Sequence, residues 1–456
     1  MNGSPRATAT LAYLAAVLVL GGASAAGLSG NFLLQLLGAG LIGWTLWSAE
    51  EEPAIATGLR PFLIAVAALM ALQFLPLPPG LWRLLPGREQ VYDGFVTLGV
   101  APPWLTLSLA PWKSLASFAW WLPALALFAA LRAPGAPPVR HVVWTIGAVA
   151  ALSAVIGAMQ RGLGSGYFYL ITNYGEGPGF FANSNHQGSF LLCALALWSG
   201  WLVSEREGLL RGGSGRLGVP PWALYALAGA LLLGVLVSGS LACVALLAPV
   251  LAAIALIARP QLNAPPAALA LGAVLVAAGF AAFLLYGPVA NDLTAKGAVA
   301  GISRQEFLVT GARIAGDFAP FGSGVGTFQD LYRWYEDPAL VTTTYVNHAH
   351  DDLLELLLET GLPGLAVLGV FLAWFVPRAW RLWTGERDRP LALAASVAIG
   401  VELLHSLVDY PLRTAAMSSL VAVACVLLVR EPEVTARRRA RRASDVGDAP
   451  REMIRI

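Results

Sequence analysis

Charged side chains are scarce in this sequence. Asp, Glu, Lys and Arg make up 12% of its 456 residues, against about a quarter in a soluble domain. Hydrophobic residues make up 57%, and mean hydropathy is +0.67. An ordinary soluble domain is therefore excluded. A net charge of only +2 leaves no basic excess, so no nucleic-acid partner is expected. Cysteine is rarer still. Cys193, Cys243 and Cys425 each sit inside an apolar run, far apart and without metal-ligand spacing. They read as small core residues rather than a disulfide or zinc framework. No repeat of fixed period occurs, and the only compositional bias is toward Ala and Leu.

What is abundant is the apolar run of about twenty residues, the length that crosses a bilayer. Such runs recur from end to end, so the expected class is an all-α polytopic membrane protein. The first run could pass for a signal peptide, but the many similar runs behind it make it a span. About twelve spans are expected, near 9–28, 30–48, 60–77, 114–131, 141–160, 185–203, 220–238, 240–258, 266–286, 362–377, 391–409 and 412–429. The longer connectors are 78–113, 161–184 and 287–361.

Arginine sets the expected orientation. With a cytoplasmic N-terminus, Arg6, Arg60, Arg132, Arg140, Arg206, Arg259, Arg378, Arg381 and the run "ARRRARR" (436–442) all fall inside, as the positive-inside rule requires. The basic tail then anchors on lipid headgroups. All three long connectors land outside, together with the few remaining cations.

The connector 287–361 is too long for an idle link. Ser303 and Glu306 form a capping box, predicting a helix from Ser303 to about Gly316. Arg304 then lies in the first turn, where the helix dipole is already positive and an anion is favoured. A solvated arginine that tolerates the dipole is the competing reading. Arg313 lies nearly opposite around the helix. "FGSGVGTF" (321–328) lacks the preceding strand and the Lys-Ser/Thr ending of a phosphate loop, and reads as a turn.

"YVNHAHDDLLELLLETGLPG" (345–364) gathers two of the chain's five histidines. Asp351 is the expected cap of the next helix. Leu353, Leu354, Leu357 and Leu358 form its apolar face, Asp351, Glu355 and Glu359 the other, and Gly361 its end. His350 therefore sits at a helix N-terminus beside carboxylates, the setting of a general base. Two other readings stay open: loop histidines bonded to backbone, and a metal site on "HAHDD".

The same residues resemble the O-antigen ligase and polysaccharide polymerase superfamily, bacterial inner-membrane glycosyltransferases. "HDDLLELLLETGLPG" (350–364) is similar to the motif that closes the family's large periplasmic loop, which points to His350 rather than His348. "SRQEFLVTGARIAGDFAPFGSGVGTF" (303–328) resembles the upstream pattern and places the loop arginine at Arg304. "GPGFFANSNHQGSFLL" (177–192) and "HSLVDYPLRTAAMSSL" (405–420) resemble a middle span and the last pair of spans. One position departs: in "VSGSLACV" (237–244), Leu241 stands where many ligases carry an arginine. Arg161 and Arg413 are the candidates to replace it.

The resemblance implies about twelve transmembrane helices with one large periplasmic loop carrying short helices. Segment 1–140 would be N-terminal helices, 141–430 the ligase-like core with loop 287–361, and 431–456 a basic cytoplasmic tail. It also implies an inverting transfer, without metal or other cofactor, from an undecaprenyl-diphosphate-linked glycan. The acceptor would be a glycan or a lipid-core sugar, at the periplasmic face of the inner membrane and in contact with membrane lipid. His350 would take the acceptor proton and Arg304 would neutralise the leaving diphosphate. Arg313, Arg161, Arg413, Asp351, Asp352, Glu355, Asn183, Asn185 and His186 are the candidate substrate contacts. Clustered amides at Asn183 and Asn185 suit sugar hydroxyls and span capping equally. His405 and Asp409, four apart at a span end, read as a pair. Trp104, Trp112, Trp334 and Tyr335 suit sugar faces, and also the aromatic belt of any membrane protein. A transporter or flippase is the rival class. Its usual repeated halves and midplane helix breaks are not what the sequence shows.

Overall fold

In bilayer, an apolar run must satisfy its own backbone, and the helix does so. The computed structural model describes residues 4–25, 28–48, 58–210, 220–262, 272, 305–339, 341, 346–385 and 388–430. It is nearly all-α. The helices are α1 (Pro5–Leu20), α2 (Ser29–Trp47), α3 (Arg60–Gln73), α4 (Pro79–Trp82), α5 (Glu89–Thr97), α6 (Pro111–Ala119), α7 (Leu122–Arg132), α8 (Val139–Leu163), α9 (Ser184–Leu210), α10 (Pro221–Ser238) and α11 (Leu241–Leu262). After them come α12 (305–317), α13 (Phe328–Tyr335), α14 (Asp352–Thr384), α15 (Pro390–His405) and α16 (Ala415–Val429). The strands found among the described residues are β1 (Pro76–Leu77) and β2 (Leu105–Thr106), an antiparallel ribbon.

Among the described residues, five helical segments are long and apolar enough to cross a membrane: Pro111–Arg132, Val139–Leu163, Ser184–Glu205, Leu241–Arg259 and Asp352–Thr384. Five further apolar helices are shorter: Pro5–Leu20, Arg60–Gln73, Trp222–Ser238, Pro390–His405 and Ala415–Val429. A 16-residue helix such as α1 reaches only ~24 Å at 1.5 Å per residue. Helices coincide with each expected run except 266–286, which lies outside the described residues. Several end early, for a visible reason. α1 stops at Leu20, and Gly21 and Gly22 then offer their carbonyls to Ala416 and Ala182. α15 stops at His405, so Ser406–Asp409 turn into polar contacts instead of continuing the expected 391–409 span.

α9 is the central helix. Its membrane-length stretch is 83% buried, and it packs against α8, α10, α11 and α15. Gly200 lets α15 approach closely, since a Cβ there would collide with Ala394. The three cysteines are free and buried. A second, smaller apolar core holds Phe307, Ile314, Phe318, Phe328, Leu331, Tyr332, Ala349 and Leu358, so residues 305–339 and 346–358 pack together in one layer.

The two ends of the bundle differ. At one end arginines tie short connectors: Arg6 donates to Ser48 Oγ at 2.8 Å, and Arg389 to the Arg430 carbonyl at 2.9 Å. At the other end, residues 21–25, 74–110, 164–183, 318–339, 346–351 and 406–414 meet, in part through backbone bonds. Examples are Leu109 N–H to the Ser323 carbonyl at 2.9 Å and Asp352 N–H to the Ser406 carbonyl at 2.9 Å. This second end carries the histidines and carboxylates described next.

Candidate active site

Asp351 caps α14, its carboxylate accepting from Leu354 N–H at 2.9 Å. The first stretch of α14 ends at Gly361, whose φ of 61° and ψ of −150° break the helix. No other residue fits there, because a Cβ would strike the Pro320 carbonyl. The break frees residues 352–360 to set their own direction. Their carboxylates point inward: Glu355 and Glu359 are buried, whereas Leu353 is 40% exposed. The face expected to be polar is thus buried as Leu358 is, because a cation waits behind it.

That cation is Arg413, in the turn Pro411–Arg413 between α15 and α16. Its Nε is 3.1 Å from Asp352 Oδ1, and its Nη1 is 2.9 Å from Glu355 Oε1 and 3.0 Å from Glu359 Oε2. Burial works against its charge, but Glu355, Glu359 and Asp352 outweigh burial and hold its pKa above the ordinary arginine value. The remaining carboxylate oxygens are also bonded. Ser406 Oγ donates to Asp352 Oδ2 at 2.8 Å, Ala349 N–H to Glu355 Oε2 at 2.8 Å, and Gly326 N–H to Glu359 Oε1 at 2.8 Å. His348 closes the knot. Its Nδ1 lies 2.8 Å from Glu355 Oε1 and its Nε2 3.1 Å from Ser24 Oγ.

A second cluster surrounds Asp409, which is fully buried. Its Oδ1 lies 3.3 Å from His350 Nδ1 and 3.6 Å from His186 Nε2, and its Oδ2 lies 4.0 Å from His405 Nε2. Asn185 Nδ2 donates to Oδ2 at 2.5 Å and Asn183 Nδ2 at 3.5 Å, while Tyr410 N–H donates to Oδ1 at 2.9 Å. Burial disfavours the charge of Asp409. The contacts of His186 and His350 outweigh burial and hold the carboxyl well below its usual range. The Tyr410 ring separates the two clusters, 4.3 Å from the His348 ring and 4.8 Å from that of His350.

His350 is the odd member. Its backbone φ is +54°, the left-handed region that a non-glycine residue rarely enters. This turn swings its ring onto Asp409 and against Phe307 of α12, 5.8 Å away and nearly parallel. The side chain is 24% exposed. Nδ1 faces the Asp409 carboxylate at 3.3 Å without completing a hydrogen bond, and Nε2 has no bonding partner among the described residues, in contrast to both nitrogens of His348.

The structure therefore brings together His350, Asp352, Glu355, Arg413, Asn183, Asn185 and His186, drawn from three separate parts of the chain. Asp351 stands at the edge as a cap. Arg313 is apart: it is exposed and lies over the Tyr335 ring at 5.6 Å. Arg161 is also apart, at the end of α8, where it donates to the Val237 carbonyl at 3.1 Å. It nevertheless adjoins the stretch that holds Leu241, since a Cβ on Gly239 would sit 3.0 Å from Arg161 Nη1. Arg304 and Ser303 lie outside the described residues. Among the described residues, no group of three or more His, Cys, Asp or Glu is placed to hold a metal ion.

Sequence reasoning gave Asp409 a pairing with His405 alone, and it overlooked Ser24, Asn347 and Tyr410. Asn347 Nδ2 approaches Ser24 Oγ at 3.5 Å and Tyr410 Oη at 3.4 Å. An acid closing an apolar run before Tyr-Pro was a usable signal for Asp409. Ser24 carried none, because its role comes from α1 ending early.

No curated protein matches the chain. Residues 223–369, from α10 through the first part of α14 and including His350, match the family model described as O-antigen ligase. That match, over about a third of the chain, supports the O-antigen ligase superfamily.

Proposed function

We propose that the protein is an inverting glycosyltransferase of about twelve membrane crossings, set in the bacterial inner membrane with the layer of 305–351 and 406–414 facing the periplasm. It moves a glycan from an undecaprenyl-diphosphate donor to a glycan or glycolipid acceptor. The observation that carries this reading is His350, with Nδ1 against a buried carboxylate and Nε2 open to a partly exposed surface. Asp409 fixes the proton on Nδ1, and the lone pair of Nε2 then faces the acceptor.

The acceptor hydroxyl oxygen attacks the anomeric carbon, and its proton passes to His350 Nε2. The bond from that carbon to the phosphate oxygen breaks, and its electron pair leaves with the lipid diphosphate. Asn183 and Asn185 line the same cluster and orient sugar hydroxyls. The resemblance of 303–328 to the family's loop favours Arg304 as the cation that meets the diphosphate. Arg413, spent on three carboxylates, holds α14 in place instead.

The test is transfer by purified protein in a bilayer, given lipid-linked glycan and acceptor with no ion gradient and with a chelator present. Product formation is expected. Movement of donor across the bilayer without any transfer product would contradict the proposal, and a chelator-sensitive activity restored by zinc or magnesium would contradict its metal independence.

A further inference from the structure

The connector 74–110 does more than join α3 to α6. With α13 it walls a cavity of about 570 Å³, within the ~300–1,000 Å³ range of small-ligand pockets. Trp104 and Trp334 line it with 65% and 60% of their surface open. Asp330 also lines it, and its Oδ2 is 2.5 Å from Nζ of Lys113, which stands outside the lining. Lys113 in turn lies over the Trp112 ring at 5.3 Å. Asp330 Oδ1 has no bonding partner among the described residues, and its side chain is 51% exposed.

Resting on the transferase reading, we propose that this cavity is a second, non-catalytic glycan site that grips a stretch of saccharide chain away from His350. The chemistry selects that ligand. A pyranose ring has a flat face of C–H groups that packs on an indole, and hydroxyls at its rim for a carboxylate. A lipid tail would use the indoles but not the Asp330 carboxylate. The wall is also built into the site. Gly326 and Phe328, at the start of α13, donate to Glu359 Oε1 at 2.8 and 3.4 Å. Glu359 meets Arg413, Arg413 meets Glu355, and Glu355 meets His348. A chain lying on α13 thus rests on the framework that positions the reacting end. The gripped chain is either acceptor or donor glycan, and the two share this chemistry.

The test is binding to full-length His350→Ala protein in nanodiscs, followed by titration calorimetry. The probes are glycan released by mild acid from the lipid-linked pool of the source cells, the intact lipid-linked glycan, and sugar-free undecaprenyl phosphate. Saturable binding is expected for the released or the lipid-linked glycan, weakened about tenfold by W104A/W334A together. Binding of the released form marks the acceptor side; binding of only the lipid-linked form marks the donor side. Trp334→Phe should retain most of the affinity, and unchanged melting of the variants shows that folding is intact. In the transfer assay the double variant should raise KM for glycan while kcat holds. No glycan binding, binding indifferent to both tryptophans, or equal tryptophan-dependent binding of undecaprenyl phosphate would overturn the inference. None of these outcomes bears on transfer by His350, which is measured separately.

Discussion

Two carboxylate clusters lie on either side of Tyr410, and they are built on opposite principles. Around Arg413, each of Asp352, Glu355 and Glu359 meets the guanidinium, and their remaining oxygens are bonded as well. Around Asp409, one acid lies against three imidazoles and two amides, and His350 Nε2, on a partly exposed ring, is left for something else. A saturated cluster can hold helices together but has nothing to offer a substrate. An unsaturated one is costly to keep, and the left-handed backbone at His350 adds to that cost. The contrast assigns strut to the first and chemistry to the second.

The largest effect should come from His350 itself. His350→Ala is expected to cut transfer by ~10²–10⁴-fold, the usual range for losing a general base, while melting changes little. His348→Ala, measured beside it, should stay within about tenfold of the parent, since Glu355 keeps Arg413 and the Ala349 N–H. Reversal of that order would exchange the roles of the two clusters.

Arg413→Ala breaks the strut. It strands three carboxylates behind α14 and should destabilise the protein by roughly 3–5 kcal/mol, seen as a lower melting point. Arg413→Lys should recover only part of this, because an ammonium cannot reproduce the forked contacts. A melting point unchanged in Arg413→Ala would show that the cluster is not structural.

Asp409→Asn sharpens the comparison from the other side. Losing a charged contact of ~1.5–3 kcal/mol implies roughly a 10- to 100-fold drop in kcat/KM, and the alanine variant of His350 should mask it. Loss of fold instead of activity would make Asp409 a strut as well.

The smallest effect concerns acid. The carboxyl of Asp409 is depressed on folding. Its stabilisation is therefore fully present above the ordinary aspartate value of ~3.9 and is lost only as pH falls through the lower folded value. Melting of the parent and of Asp409→Asn should then run parallel between pH 5 and 8. A step confined to the parent in that window would contradict an ionised Asp409.

The apolar runs made the helices legible in the sequence, since a lipid-facing backbone has few alternatives. The cap at Asp351 and the break at Gly361 were legible for the same local reasons. What local pattern could not show was partnership. Glu355 and Glu359 read as the polar face of a helix, with Glu355 a substrate contact, and they are buried against Arg413, which comes to meet them from more than fifty residues further on. Asp409 read as a partner for His405 four residues away. Its nearer contacts, His186 and His350, come from distant parts of the chain and were visible only once the helix ends had converged.

The central claim is that His350 carries its proton on Nδ1 and keeps Nε2 bare. With only five histidines in the chain, ¹⁵N spectra of labelled protein in lipid bilayers can read this directly, with His350→Ala identifying the signals. At alkaline pH the account predicts a protonated Nδ1 and an unprotonated Nε2 that shifts when donor and acceptor analogue bind. A protonated Nε2 at His350, facing the open side with its lone pair turned to Asp409, would contradict it.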